Sequence, residues 1–119
     1  MTNAEFLNKN FRTNYKAYMK SRWTYSNQLK VWMTFLDGKV RRGWKNTING
    51  CLVFEEFVSL DEELLPEDYI LEENYRLIVD KAQNYKILGV YKLERINRNV
   101  LKNRIWIKVA NSLEEFLHK

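Results

Sequence analysis

The chain has 119 residues, of which 45% are hydrophobic and 14% aromatic, with four glycines and one proline. That is ample for one core over residues 1–119, and it excludes a low-complexity chain and a pair of independent cores. The formal net charge of +5 hides a segregation: residues 1–50 carry ten Lys/Arg against two Asp/Glu, residues 51–84 two against ten, and residues 85–119 eight against three. Such sorting creates local fields of opposite sign that steer association with charged partners, without naming the partner.

Residues 2–22 read as helix. Thr2 and Glu5 have the spacing of a capping box, and Phe6, Leu7, Phe11, Tyr15, Tyr18 and Met19 recur at steps near three and four. Asn10 and Thr13-Asn14 are indifferent helix formers, so two short helices separated by a break near Arg12 serve the same packing as one longer helix. From residue 29 the period becomes two. Val31, Met33 and Phe35 share one face of a strand over 29–36, and the Asp37-Gly38 pair that follows is a strong signal for a tight turn, with the returning strand over 39–44. Asn49-Gly50 marks a second turn, into a strand over 51–58 that is apolar on both faces.

Residues 60–71 are acidic and contain Pro66, which allows at most a short helix or an irregular crossover. Strands follow over 75–82 and 85–96, then a polar loop over 97–103 and a last strand over 104–109 with Ile105, Ile107 and Val109 inward. Ser112 and Glu115 repeat the capping-box spacing and start a short terminal helix. The main core expected from these faces is Met33, Phe35, Val53, Leu77, Val79, Ile87, Ile105 and Ile107.

The fold class that follows is α+β. About six mostly antiparallel strands form a strongly bent sheet or partly closed barrel, flanked by an N-terminal helical region and a short C-terminal helix, because strands on so short a chain need their edges managed. This order, with Leu88-Gly89-Val90-Tyr91 as a strand after a turn, resembles PUA-like modules, the group containing ASCH and EVE domains. The resemblance is an analogy of fold and implies a small β-barrel with flanking helices. Gly89 inside a strand predicts a bulge or a close backbone approach.

Chemistry-bearing residues are sparse. One cysteine, Cys51, excludes an intramolecular disulfide framework and fits a reducing compartment; opening an apolar strand, it reads as a core thiol. One cysteine and one histidine, His118, cannot build a structural zinc site, and the acidic residues at 55–73 lack the spacing of a calcium loop. No glycine-rich phosphate loop occurs. The reading is therefore no metal, no cofactor and no assigned catalytic residue. No apolar run approaches the ~18–20 residues that span a bilayer, and the first residues lack the pattern of a signal peptide, so the expectation is a cytoplasmic protein without membrane contact.

Glu55 and Glu56 are adjacent on a predicted strand and point to opposite faces. Whichever points inward needs a cation, with Arg76 or Lys92 as candidates, and reads as a structural ion pair rather than a general acid or base. An enzyme built on either carboxylate is the least favoured reading, since a lone carboxylate lacks a defined catalytic pair.

What remains is cations interleaved with aromatics. Lys16, Lys20 and Arg22 precede Trp23; Lys39, Arg41, Arg42 and Lys45 surround Trp44; Arg95, Arg98, Lys102 and Arg104 lead to Trp106. Trp32 and Trp106 read as core, while Trp44 is open to either face. Cations supply the salt-dependent phosphate contacts of nucleic-acid binding, and exposed rings supply stacking. The functional reading is a non-enzymatic binding module for nucleic acid or nucleotide, with the hairpin and the loop at 95–104 as its basic rim. The alternative is a protein-interaction module, a small accessory or inhibitor protein docking one charged face on a larger partner. The salt dependence of binding separates the two, and Arg41 and Arg42 test the first: they face a partner, or they neutralise the acidic residues of 55–73 within the protein.

Overall fold

The structure, a computed structural model, describes residues 1–60, 73–94 and 103–118. The expected acidic crossover and polar loop lie outside these residues, save for their end positions 60 and 103. Thr2 caps helix α1 (Asn3–Asn10), its hydroxyl accepting from the Glu5 N–H at 3.1 Å. The helix ends well short of residue 22 because asparagine side chains take over the backbone pairing. Asn8 Nδ2 donates to the Tyr15 carbonyl at 2.8 Å, and its Oδ1 accepts from the Tyr15 N–H at 2.9 Å and the Thr13 hydroxyl at 2.7 Å. Asn3 Nδ2 reaches the Met19 carbonyl at 3.0 Å. Residues 11–21 thus run back along α1 as an irregular strap, while Phe11, Tyr15 and Met19 still pack on the core.

Among the described residues eight strands follow: β1 (Arg22–Thr24), β2 (Leu29–Thr34), β3 (Asp37–Arg41), β4 (Trp44–Asn49), β5 (Leu52–Phe57), β6 (Tyr75–Asp80), β7 (Lys86–Glu94) and β8 (Asn103–Ala110), then helix α2 (Leu113–Leu117). They form one sheet in the order β1-β2-β6-β7-β8-β5-β4-β3, antiparallel throughout except for the parallel β2–β6 pair. The α+β class holds, with eight strands in place of about six. The end of the expected helical region pairs as β1, and two strands stand where one was expected between residues 37 and 49. Strands β1 and β3 are the two edges, so the sheet is open rather than a closed barrel.

The expected Asp37-Gly38 hairpin is overturned. Strand β2 lies between β1 and β6, and β3 pairs instead with β4 through a turn at Arg42-Gly43. Those residues have φ of 50° and 85°, the two positive values that a type I′ hairpin turn needs. Asp37 and Gly38 sit where the β3–β4 register slips, and Gly38, at φ 75°, supplies the bulge. The Asn49-Gly50 turn stands as expected, with Cys51 beside Gly50 between the paired Asn49 and Leu52. That position at a hairpin tip leaves Cys51 exposed rather than in the core.

Asn46 Nδ2 on β4 donates to the Thr34 hydroxyl on β2 at 3.1 Å. The two strands stand five places apart in the sheet, which in a flat sheet would separate them by roughly 24 Å. The sheet therefore curls around the face that carries both side chains. Trp32, Val53, Ile78, Tyr91, Leu93 and Trp106 are buried on this enclosed face. On the other face Leu29, Val31, Met33, Leu77, Val79 and Val90 pack with Phe6 and Leu7 of α1.

The curl also corrects part of the expected core. Met33, Val53, Leu77 and Val79 are buried, whereas Phe35, Ile105 and Ile107 are half-buried and Ile87 is 40% exposed. In β8 the buried side chains are Arg104, Trp106 and Ala110. Both faces of that strand are apolar enough to read as inward, and the direction of curl selects the tryptophan face. Gly89, at φ 138°, approaches the backbone as expected, since a Cβ there would collide with the Ala110 carbonyl oxygen. Ser112 caps α2 by accepting from the Glu115 N–H at 3.0 Å. Among the described residues no helix is long and apolar enough to cross a membrane.

Candidate nucleic-acid interface

The β3–β4 hairpin presents the densest predicted cluster. Arg42 sits in the turn, and Lys39, Arg41 and Arg42 are exposed while Lys45 is half-buried. Arg41 is held by a neighbour on its own strand. Its Nη1 and Nη2 donate to the two carboxylate oxygens of Asp37 at 2.8 Å each. The Arg41 fork and the Lys39 N–H hold the Asp37 carboxyl far below the usual carboxylate range. Among the described residues the Arg41 charge thus meets the Asp37 carboxylate.

The Arg41 guanidinium carbon also lies 4.2 Å from the centroid of the Phe35 ring. Lys81, which follows β6, brings its Nζ to 5.0 Å from the same centroid. Burial, and then the charge of Arg41, push the Lys81 ammonium below its ordinary value. Lys81 extends the basic end of the hairpin, and the sequence reading missed it. Its only sequence signal is a cation just past a strand, and the ring it shares with Arg41 is 46 positions earlier.

Trp44 is half-buried. Its ring meets Phe57 edge-on at 5.3 Å, and the Arg104 guanidinium carbon lies 5.0 Å from its centroid. Gly43 makes this packing possible, since a Cβ there would strike the Phe57 ring. Arg104 turns inward to the enclosed face, 3% exposed, away from the rim expected for it. Arg95, Arg98 and Lys102 lie outside the described residues.

Inside the curl sits a second charged group. Arg76, fully buried, donates from Nη1 to Glu55 Oε1 and from Nε to Glu73 Oε2, each at 3.0 Å. Its guanidinium carbon lies 4.6 Å from the Trp32 ring centroid and 4.2 Å from that of Trp106. Glu55 Oε1 also accepts from Arg104 Nη1 at 3.1 Å and Trp106 Nε1 at 3.3 Å. Burial raises the Glu55 carboxyl, but the charges of Arg76 and then Arg104 outweigh it and hold Glu55 below the ordinary range. Glu73 follows the same pattern, with burial opposed by Arg76. Arg76 Nη2 and Glu73 Oε1 are buried without a hydrogen-bond partner among the described residues.

Two glutamates and two arginines cancel in charge, and a carboxylate held by two guanidinium groups is a poor proton acceptor. The inward Glu55 is therefore in the ion pair expected for it, with Arg76. The sequence reading did not find the two tryptophan rings around Arg76, because the three residues come from different strands, β6, β2 and β8. Among the described residues no group of three or more His, Cys, Asp or Glu side chains gathers to hold a metal ion.

A solved structure shares this fold. The chain resembles the 5-hydroxymethylcytosine-specific restriction enzyme AbaSI, with a TM-score of 0.56 over 83% of this chain and 34% of that one. The chain thus spans about a third of that enzyme's length, and at 18% sequence identity the likeness is one of fold. No protein-family model matches the chain, and no curated protein matches it significantly.

Proposed function

We propose that this chain is a non-enzymatic nucleic-acid-binding module whose contact arm is the β3–β4 hairpin. The observation that carries this reading is the exposure of Lys39 and Arg42 on a hairpin whose sequence, from residue 38 to residue 54, contains no carboxylate. The interior arginines pair with Glu55 and Glu73, so among the described residues the outward positive charge at this end comes from the hairpin and Lys81. A short arm bearing cations lies along a phosphate backbone or enters a groove, where Arg offers forked donors and Lys a point charge. The solved neighbour of like fold is a restriction enzyme specific for a modified base, which agrees with a nucleic-acid partner. Arg95, Arg98 and Lys102 are assigned to the same rim on their charge alone.

Chemical-shift mapping tests this reading. Amide signals of the uniformly labelled protein are followed as a short DNA duplex or single strand is added at low salt. The largest shifts are expected at residues 39–45 and 81. Shifts clustered elsewhere, or none with either oligonucleotide, contradict it.

A further inference from the structure

Two cations share one aromatic ring at the basic end, and among the described residues they are short of anions. Arg41 lies 4.2 Å and Lys81 5.0 Å from the Phe35 centroid. Among the described residues the carboxylate that meets this pair is Asp37, and it meets only Arg41. Lys81 makes no ion pair among the described residues, and its charged form is disfavoured by burial and by Arg41. An anion placed here would relieve both cations.

The Asp37–Arg41 contact is unusual for residues four apart on a strand, which extended backbone separates by ~13 Å. The bulge at Gly38 folds that distance back, so that both carboxylate oxygens enter the guanidinium fork at 2.8 Å. A forked carboxylate has the geometry with which Arg holds a phosphate. Its remaining tie is the Lys39 N–H at 3.0 Å, and the Arg41 side chain is 42% exposed, so the carboxylate can swing out without disturbing the core.

We propose that Arg41 and Lys81, seated on Phe35, form a phosphate-binding site, and that Asp37 fills the Arg41 fork in the free protein until a phosphate group displaces it. This rests on the reading of the chain as a nucleic-acid-binding module, and it gives that module a built-in competitor. Asp37 lowers affinity for isolated phosphates and yields only where neighbouring cations engage the same backbone.

The test is D37N, which removes the charge while keeping an acceptor for the Lys39 N–H. Binding of a labelled duplex is followed by fluorescence anisotropy over a range of salt. D37N is expected to bind more tightly than the wild type, with a log–log salt slope steeper by about 0.9, one further phosphate neutralised. R41Q and K81Q are expected to bind more weakly, and D37N/R41Q is expected to show none of the gain. Wild-type binding with a D37N slope and affinity unchanged overturns the Asp37 site and leaves the nucleic-acid reading intact. No binding by either protein at low salt overturns both. A second arm follows the Arg41 Nε–H signal. Perturbation by inorganic phosphate at matched ionic strength assigns the site to phosphate groups in general; perturbation by oligonucleotide alone assigns it to the polymer backbone; silence with both overturns it.

Discussion

Arg76 on β6 donates to Glu55 on β5 at 3.0 Å across two intervening strands, β7 and β8. In a flat sheet those strands would stand roughly 14 Å apart. The ion pair and the curl of the sheet therefore depend on each other. The curl buries the charges, and the charges hold β5 over β6.

Removing one partner of a buried pair leaves the other uncompensated, which typically costs ~3–5 kcal/mol. Glu55→Ala takes a carboxylate from two buried arginines at once. It is expected to destabilise the fold at the upper end of that range, a large part of the ~5–15 kcal/mol total of a domain. Urea unfolding of the variant against the wild type reads this directly. A midpoint within error of the wild type would show that the interior charges do not hold the curl.

The same pair sets an acid limit. Glu55 and Glu73 are both held below the ordinary glutamate value of 4.5 by Arg76, with burial opposing. Depressed carboxyls bind fewer protons folded than unfolded, so their stabilisation is complete above 4.5 and is lost as pH falls through the lower folded values. The melting temperature is expected to drop steeply below pH 4.5, and to drop less steeply in Glu73→Gln. Parallel pH profiles for the two proteins would contradict the assignment.

Glycines at positive φ give a graded series. At Gly50, φ 60°, an added Cβ meets nothing within 4 Å, so Gly50→Ala costs only the left-handed backbone penalty of ~1–2 kcal/mol. At Gly89, φ 138°, it meets the Ala110 carbonyl and the end of the Lys108 side chain, and the strand must shift as well. Gly89→Ala is expected to lower the unfolding midpoint well beyond Gly50→Ala. Equal losses would mean that β7 and β8 tolerate separation at that point.

Features set by neighbours in sequence were legible. Both N-caps form, with the Thr2 and Ser112 hydroxyls accepting from the N–H three residues on, the Asn49-Gly50 turn forms, and the alternation of β2 and β6 places Met33, Leu77 and Val79 in the core. Features set by distant neighbours were not. Asp37-Gly38 has the chemistry of a hairpin turn, but β2 pairs in parallel with β6, each residue with one 46 positions later in sequence, and no local signal announces that pairing. The actual turn uses Arg42 at φ 50°, a conformation that sequence preference does not assign to arginine. At the site, composition located the hairpin cations, whereas the Asp37 fork depends on a bulge and Lys81 on a contact across the fold.

The inward face of β8 can be checked by truncation. Trp106 is completely buried between Arg76 and Glu55, and Trp→Ala changes in cores cost ~3–5 kcal/mol. Ile87 is 40% exposed, and Ile87→Ala is expected to leave stability within about 0.5 kcal/mol. Thermal unfolding that ranks Ile87→Ala as the more damaging change would reverse the assigned direction of curl.

The central claim, that the hairpin binds nucleic acid through its exposed cations, is tested most directly by the salt dependence of binding. The observed association constant of a short duplex is measured against salt for the wild type and for the Lys39→Ala, Arg42→Ala double variant, with equal unfolding midpoints confirming that both are folded. The wild type should lose affinity steeply with log salt, and the variant's slope should be shallower by roughly 0.9 for each phosphate contact removed. Identical slopes, or no binding by the wild type at low salt, would contradict the claim.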